Sequence, residues 1–437
     1  MQQAENSKID VLVIGGGTAG FGAAVAAGRK GLSVRLLEAG PKIGGVMAFC
    51  PGMPWGGGYP RDTIIGGVLE ELANRLTQMS PPAAEKRPCT LENFGPEILY
   101  DHDITTLTMF EMLEEAGVEV ELNATALSPL MEGKRIAAVE YCNRHGLHRT
   151  AAQVVIDCSG DGDISAKAGV PYRLGDEQGR MMGVTLTFFM ENAPWDRVFA
   201  KGDPYFQDYA ARGIAEGRLH EDLGKLYLMK GFHQDSVFCN SVVIRDVDGT
   251  DPAGVARATQ EGRRRCLQMA EFLRADVPGF EQARMSMLGP TVGVRETRKL
   301  EGMVTINGED LARGTKYPDG IVCCDNPIDD VMRSSDEMTH EAIVAPGSYY
   351  TLPFRALVPK EIENLMFAGR ILSADPMAFA SVRGMPQCMA MGQACGSAAA
   401  QVISTGQSVQ QVDTPALIAD LQRQGIRGLG DTPLSEV

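Results

Sequence analysis

The sequence predicts an α/β fold: a doubly wound parallel sheet with a second, smaller α+β unit attached. Three observations carry this. Val11-Leu12-Val13-Ile14 runs into Gly15-x-Gly17-x-x-Gly20, then small residues, then Val34-Arg35-Leu36-Leu37-Glu38, which reads as strand, glycine turn, helix and parallel strand. Two later apolar runs, Val154-Val155-Ile156 and Leu365-Met366-Phe367, each lead into a glycine-containing turn and read as buried strands. Between them, residues 183 to 290 change character, with longer β-type runs and polar stretches.

Each glycine of the first turn has a physical task. Gly15 permits the tight turn, Gly17 lets backbone approach a pyrophosphate, and Gly20 lets the helix pack closely on the strand. The helix N-terminus then directs free N–H groups and a positive dipole end at the phosphates. Glu38 stands 18 residues after Gly20, where an acid accepts hydrogen bonds from ribose hydroxyls. The chain therefore reads as a dinucleotide binder.

The remaining elements follow in order. Gly40-Pro41-Lys42-Ile43-Gly44-Gly45 is a turn with a glycine pair where backbone again passes close to something, and a Gly-, Pro- and Met-rich loop runs from Val46 to Pro60. Residues 64 to 79 carry Val68, Leu69, Leu72 and Leu76 at helical spacing, residues 81 to 96 are Pro-rich and read as irregular, and Ile104 to Ala116 reads as a helix with Gly117 as its C-cap. Val118–Leu122, Ile136–Tyr141 and the run from Ala151 read as a small inserted β-meander, whose last run returns to the main sheet and ends Asp157-Cys158-Ser159-Gly160-Asp161-Gly162-Asp163 before a helix near Ile164. Val184–Met190 and Ser236–Ile244 read as strands, Pro252–Leu273 as a helix, and residues 291 to 360 as mixed. Gly384–Ile403 is a helix dense in Gly, Ala and Cys, so it lies very close to a neighbour or a ligand, and Pro415–Gly425 is a terminal amphipathic helix.

Composition narrows the class. The 437-residue chain is 44% apolar and 22% charged, ordinary for a globular protein with two or three domains. Its net charge of −15 disfavours nucleic acid and anionic membranes as partners. Met1–Asp10 is polar without a basic n-region, and no stretch reaches transmembrane length, so membrane insertion is not expected. Ten scattered cysteines without a CxxC pair suit reduced thiols in the cytoplasm. No Cys, His and carboxylate set has metal-ligand spacing, so no metal is expected.

Several segments together resemble the FAD-dependent oxidoreductase family, among glutathione-reductase-like flavoproteins and more distantly the succinate dehydrogenase/fumarate reductase flavoprotein group. They are Gly15–Gly45, the strand ending Asp157-Cys158-Ser159-Gly160-Asp161-Gly162-Asp163, Val294-Arg295-Glu296-Thr297-Arg298, and Asn364–Ala400 with its Ala368-Gly369-Arg370 and Ser381-Val382-Arg383. The resemblance spans nearly the whole chain. It implies a Rossmann-like FAD-binding domain with an inserted β-meander in residues 1–182 and 346–437, and an α+β substrate domain in residues 183–345. It implies cofactor contacts at Gly15, Gly17, Thr18, Ala19 and Gly20, at Glu38 and Ala39, and at Gly44, Gly45 and Val46. Further contacts are implied at Ser159, Gly160 and Asp161, at Gly369 and Arg370, and at Arg383, Met385 and Gln387. The segment Gly384–Gln387 would start a helix under the flavin's pyrimidine ring, where a helix N-terminus stabilises the charge of a reduced flavin. The chain departs from the family at Tyr350-Thr351-Leu352-Pro353-Phe354-Arg355 and at Leu372-Ser373-Ala374-Asp375-Pro376. The six histidines stand at 102, 145, 148, 220, 233 and 340, none following Gly44-Gly45, which excludes histidine-linked flavin there and leaves noncovalent FAD.

The implied activity is hydride transfer between a small organic substrate and FAD. The rival readings are a flavin monooxygenase and a non-catalytic dinucleotide-binding subunit of a redox complex. A single GxGxxG leaves no second fingerprint for a nicotinamide cofactor, so a protein, a quinone or dioxygen is the expected electron partner. Arg295, Arg298, Arg355 and Arg383 are candidates to hold a carboxylate or phosphate bidentately, against the alternatives of structural ion pairs or cofactor contacts. On one helix, Arg295 and Arg298 would share a face. His340, Tyr349, Tyr350 and Asp375 are candidate acids or bases, each also readable as structural. Cys50 lacks the partner a dithiol relay needs and reads as an incidental thiol, Cys323-Cys324 as two ordinary thiols, and the Met-rich segments as core filler.

Overall fold

Val11, Leu12 and Val13 are fully buried, and alternate residues of this strand feed two different cores: Val11 and Val13 one, Leu12 and Ile14 the other. That is the signature of a strand covered on both faces. In the computed structural model, which describes residues 9–50, 52–89, 93–202, 205–333 and 338–430, this strand is β1 (Ile9–Ile14). The polar segment before it lies almost wholly outside the described residues.

From β1 the chain enters α1 (Thr18–Arg29) and β2 (Val34–Glu38), and a long crossover with helices at Gly67–Thr77 and His102–Glu115 leads to β3 (Val118–Leu122). An antiparallel meander (Thr125–Glu132, Arg135–Asn143, Gly146–Thr150) precedes β4 (Ala152–Asp157). Then come β5 (Val184–Glu191), β6 (Leu228–Lys230), β7 (Ser236–Ile244), α2 (Pro252–Asp276) and β8 (Arg284–Leu288). The chain returns as β9 (Leu365–Phe367), α3 (Pro376–Val382) and α4 (Met385–Thr405), followed by a helix at Thr414–Arg423.

The main sheet has the order β9-β4-β1-β2-β3 and is parallel throughout, with Val11 opposite Val34 on one side and Val154 on the other. The fold is thus α/β with a Rossmann-like sheet, and a second, antiparallel sheet of order β6-β7-β5-β8 stands apart from it. On β5, Val184, Leu186, Phe188 and Met190 pack into a core shared with Cys266, Met269 and Leu273 of α2. The period of two leaves Thr185, Thr187 and Phe189 on the opposite face.

Three expectations are corrected. Val118–Leu122 is not part of the meander but the edge strand beside β2, with Val34 opposite Val118. Its alternation Val-Glu-Val-Glu-Leu suits an edge whose outer face meets water, where Glu119 pairs with Arg35. Residues 81–96 are not wholly irregular: Ala84–Pro88 pairs with Pro96–Tyr100 as a hairpin, with Pro88 opposite Pro96 at its loop end, where the strands stop. Arg295 and Arg298 do not share a helix face. Arg298–Leu300 is a strand paired with Tyr172–Leu174, so the two arginines diverge.

The local reason for that strand is a buried ion network. Glu296, Lys299, Arg333 and Asp330 are all buried; Glu296 is paired with Lys299 and lies 3.3 Å from Arg333, and Arg333 lies 3.2 Å from Asp330. Lys299 also donates to Gly175 O at 2.8 Å and Arg333 to Pro376 O at 2.9 Å, so two buried cations and two buried anions are held by chain segments far apart in sequence.

Candidate functional site

The turn after β1 is drawn tight by backbone bonds. Gly15 N donates to Leu37 O at 2.7 Å and Gly44 N to Gly16 O at 2.8 Å. Gly20 packs so closely that a Cβ there would lie 1.8 Å from Gly15 O. Gly17 is the N-cap of α1 with no side chain capping it, so the first-turn N–H groups of Thr18, Ala19 and Gly20 stand open. The backbone of Gly45 (φ +52°) comes over Gly17: a Cβ on Gly45 would sit 3.0 Å from Gly17 Cα, whereas one on Gly17 would meet nothing nearer than 3.8 Å. Two bare stretches of main chain thus face each other at an open helix N-terminus, a cradle that fits a pyrophosphate and that a side chain would fill.

Glu38, at the end of β2, accepts from Gly16 N and from Gly40 N, each at 2.6 Å. It pins both turns, and a carboxylate with about four acceptor positions keeps capacity for ribose hydroxyls. Ala39 is exposed beside it, and Val46, 39% exposed, opens the short helix after Gly45.

The second group of expected contacts forms a lattice behind the cradle. Buried Asp157 accepts from the main chain and hydroxyl of both Ser159 and Ser165. Arg370, reached from β9 through Gly369 (φ +95°), pairs with Asp161 at 2.6 Å and donates to Thr297 Oγ1 at 2.8 Å, and Thr297 donates to Gly160 O. Arg298 donates to Asp161 O at 2.9 Å and to Asp163 at 2.8 Å. It therefore braces this loop.

The third group is at the start of α4. Gly384 caps it without a side-chain hydrogen bond, and Met385 is its first residue. Arg383 is held by Asp329 at 2.6 Å, while Gln387 donates to Gly57 O at 2.6 Å. Gln387 Oε1, Asn326 Oδ1 and Arg383 Nε are buried there without a hydrogen-bond partner. Orphaned buried polar atoms at a bare helix N-terminus are what a polar ring edge would satisfy, so these residues fit a flavin. The density of small residues in α4 has a further cause: a Cβ on Gly392 would lie 1.8 Å from Ala19 O of α1, so the two helices touch main chain to main chain.

Of the candidate acids and bases, Tyr350 joins this third group, sharing Cys324 Sγ with Gln387. Tyr350 is fully buried, bonded to Ser381 Oγ at 2.5 Å and Cys324 Sγ at 3.1 Å, and burial pushes its hydroxyl well above the usual range. Asp375 caps α3, accepting from Ala378 N at 2.7 Å and Gly308 N at 2.9 Å. Arg355 forks onto Asp319, and the ring of Tyr349 carries the Lys316 ammonium 3.8 Å from its centroid. The backbone of His340 pairs with Asp329, while its side chain lies outside the described residues.

Arg295 differs from all of these. It is partly buried and donates through Nη1 to Gly183 O at 3.0 Å and to Thr185 Oγ1. Cys50, five residues past Gly45, bonds Thr187 Oγ1 at 3.3 Å on the same face of β5. Burial raises the Cys50 thiol and lowers Arg295 to about 10. Thr185, Thr187, Asn326 and Gly57 were not among the sequence candidates. The two threonines had a visible signal, the alternation Val-Thr-Leu-Thr-Phe across residues 184–188. Among the described residues, no group of three His, Cys, Asp or Glu side chains is placed to hold a metal, and no helix is long and apolar enough to cross a membrane.

Comparison with known proteins agrees with this geometry. The family model for FAD dependent oxidoreductases matches residues 10–424. A digeranylgeranylglycerophospholipid reductase of Methanopyrus kandleri is 30% identical over 171 residues, 37% of this chain and 40% of that protein. One from Thermoplasma volcanium is 28% identical over 219 residues, 48% and 51%. The chain thus spans about two fifths to one half of the length of these relatives. Among solved structures, a flavin-dependent brominase superposes with a TM-score of 0.51 at 14% identity, covering 95% of this chain and 83% of its own, a likeness of fold.

Proposed function

The chain belongs to the FAD-dependent oxidoreductase family, and from that premise we propose that it moves a hydride between a small organic substrate and noncovalently held FAD. The observation that carries this reading is the pair of bare main-chain stretches at Gly17 and Gly45, set at the uncapped N-terminus of α1 beside Glu38. Bound FAD supplies the two-electron chemistry. The protein's own residues bind and orient. Gly17, Thr18, Ala19 and Gly45 take the pyrophosphate through main-chain N–H groups, and Glu38 takes the ribose. Gln387, Arg383 and the start of α4 take the polar edge of the ring and stabilise negative charge on it.

The substrate would lie between this cradle and partly buried Arg295, which is fixed on β5 by Thr185. Support for that placement is the short tether: Cys50, which bonds Thr187 of β5, is separated from Gly45 by only four residues. The domain division at 182/183 and 345/346 belongs to the same proposal, since β5 to β8 all fall inside it. With one dinucleotide fingerprint, the electron partner is read as a protein, a quinone or dioxygen.

The test is a visible spectrum of the purified chain, then denaturation. The expected result is a yellow protein that releases intact FAD in solution, and whose flavin bleaches anaerobically with a substrate or reoxidises with one. A colourless protein that does not take up added FAD would overturn the reading. A hydroxylated product formed with consumption of dioxygen would turn it toward a monooxygenase.

A further inference from the structure

Among the described residues, every arginine that is not exposed has a carboxylate within 4 Å, except one. Arg35, Arg75, Arg87, Arg218, Arg245, Arg265 and Arg298 are paired, as are Arg333, Arg370, Arg383 and Arg427. Arg295 is the exception. Its hydrogen bonds are both made by Nη1 and both go to neutral oxygens, Gly183 O and Thr185 Oγ1. Nε and Nη2 have no partner.

Those two nitrogens form one edge of the guanidinium, and the chain shows what that edge binds. Arg355 uses its own Nε and Nη2 to grip the two oxygens of Asp319, at 3.0 and 3.2 Å. A planar two-donor edge matches a planar two-acceptor carboxylate. The surroundings set the charge of the guest. Asp329 and Arg383 act on Arg295 electrostatically, but Asp329 is already bound by Arg383 at 2.6 Å. The three side chains therefore carry a net charge of about +1, which a monoanion neutralises and a phosphate dianion overshoots. The neighbours Thr185, Thr187 and Cys50 are neutral and add no second cation.

We propose that Arg295 is the anchor of the substrate site and that the substrate is an organic monocarboxylate, held side-on by Nε and Nη2 of this residue, whose Nη1 is fixed by Gly183 O and Thr185 Oγ1. The proposal rests on the flavoenzyme reading above and gives it a substrate class. Arg298, Arg355 and Arg383, the other arginine candidates, are spent on Asp163, Asp319 and Asp329 and are structural or cofactor-positioning residues.

The experiment uses the purified full chain with wild-type, Arg295→Gln and Arg295→Lys forms. FAD content is measured first. Acetate, crotonate and benzoate are then titrated at constant ionic strength, read by flavin absorbance and by calorimetry, with crotonamide, benzamide and inorganic phosphate as controls. The expected result is saturable binding of at least one carboxylate, a weaker response to its amide and to phosphate, and a loss of about 10-fold or more in affinity in Arg295→Gln, at unchanged FAD content and melting temperature. Arg295→Lys should retain part of the affinity, since it keeps the charge and loses the fork.

Equal carboxylate affinity in Arg295→Gln would overturn the proposal, as would the absence of saturable binding of all three acids. Loss of FAD from a folded Arg295→Gln would overturn it too, by assigning the residue to the cofactor. A wild-type chain that binds carboxylate calorimetrically but holds no FAD would sink the flavoenzyme reading and leave the anion site standing.

Discussion

Replacing Gly17 by Ala separates cofactor binding from folding. Gly17 has φ −70° and ψ −170°, a conformation alanine adopts without strain, and the new methyl would meet nothing closer than Gly45 Cα at 3.8 Å. Folding should lose only what a poorer N-cap costs, about 1 kcal/mol or less. The same methyl stands in the cradle at the mouth of α1. Displacing a phosphate oxygen from even one main-chain N–H forfeits a hydrogen bond to a charged group, about 1.5–3 kcal/mol, or about 10- to 150-fold in affinity. Gly20→Ala is the control with the opposite signature. Its Cβ would lie 1.8 Å from Gly15 O, so it should destabilise the apoprotein by about 1–3 kcal/mol or prevent folding. The assay is reconstitution of apoprotein with FAD followed by flavin fluorescence, beside thermal melts of the apo forms. If Gly17→Ala melts near wild type yet binds FAD with unchanged affinity, the pyrophosphate does not lie at Gly17 and the placement of the cofactor fails.

Other consequences follow from named contacts. Glu38→Gln keeps size but weakens two charge-assisted bonds to Gly16 N and Gly40 N, so FAD affinity should drop about 10-fold or more and the melting temperature should fall; unchanged values for both would refute the pinning role. Glu296→Ala leaves Lys299 and Arg333 buried with one anion fewer, which should cost about 3–5 kcal/mol in denaturant unfolding, and a loss under 1 kcal/mol would refute the network's weight. The thiols of Cys50, Cys158, Cys239, Cys266, Cys323, Cys324, Cys388 and Cys395 are all raised by burial, to about 12 for Cys266, Cys324 and Cys388. A raised folded value means that the native state keeps protons the unfolded chain releases. Stability should therefore hold below about pH 8.5 and fall as pH rises above it, by about 1.4 kcal/mol per pH unit for each thiol ionised only on unfolding. Denaturant midpoints at pH 7.5 and 9.5 check the sign, and an unchanged midpoint would show that these thiols are not shielded.

How much was legible in the sequence divides along one physical line. Features set by neighbours in the chain were readable. The turn at Gly15–Gly20, the period-two run of β5 and the small-residue face of α4 each follow from local sterics, and the structure places them as the pattern implies. Features set by distant partners were not. Val118–Leu122 looks like any short β run, and only its pairing with Val34–Glu38 makes it a parallel edge strand and not a meander strand. The arginines show the same limit most sharply. Arg295, Arg298, Arg355 and Arg383 look alike in sequence, each a cation in a mixed segment. What separates them is whether an acid elsewhere in the chain forms an ion pair with them: Asp163 with Arg298, Asp319 with Arg355, Asp329 with Arg383, and no carboxylate within 4 Å of Arg295. A cation left without its counter-ion inside a protein of net charge −15 is costly to keep. Asp329 acts on Arg295 from a distance but is itself bound by Arg383, so Arg295 has no carboxylate within 4 Å, and that is the place the proposed substrate carboxylate would fill.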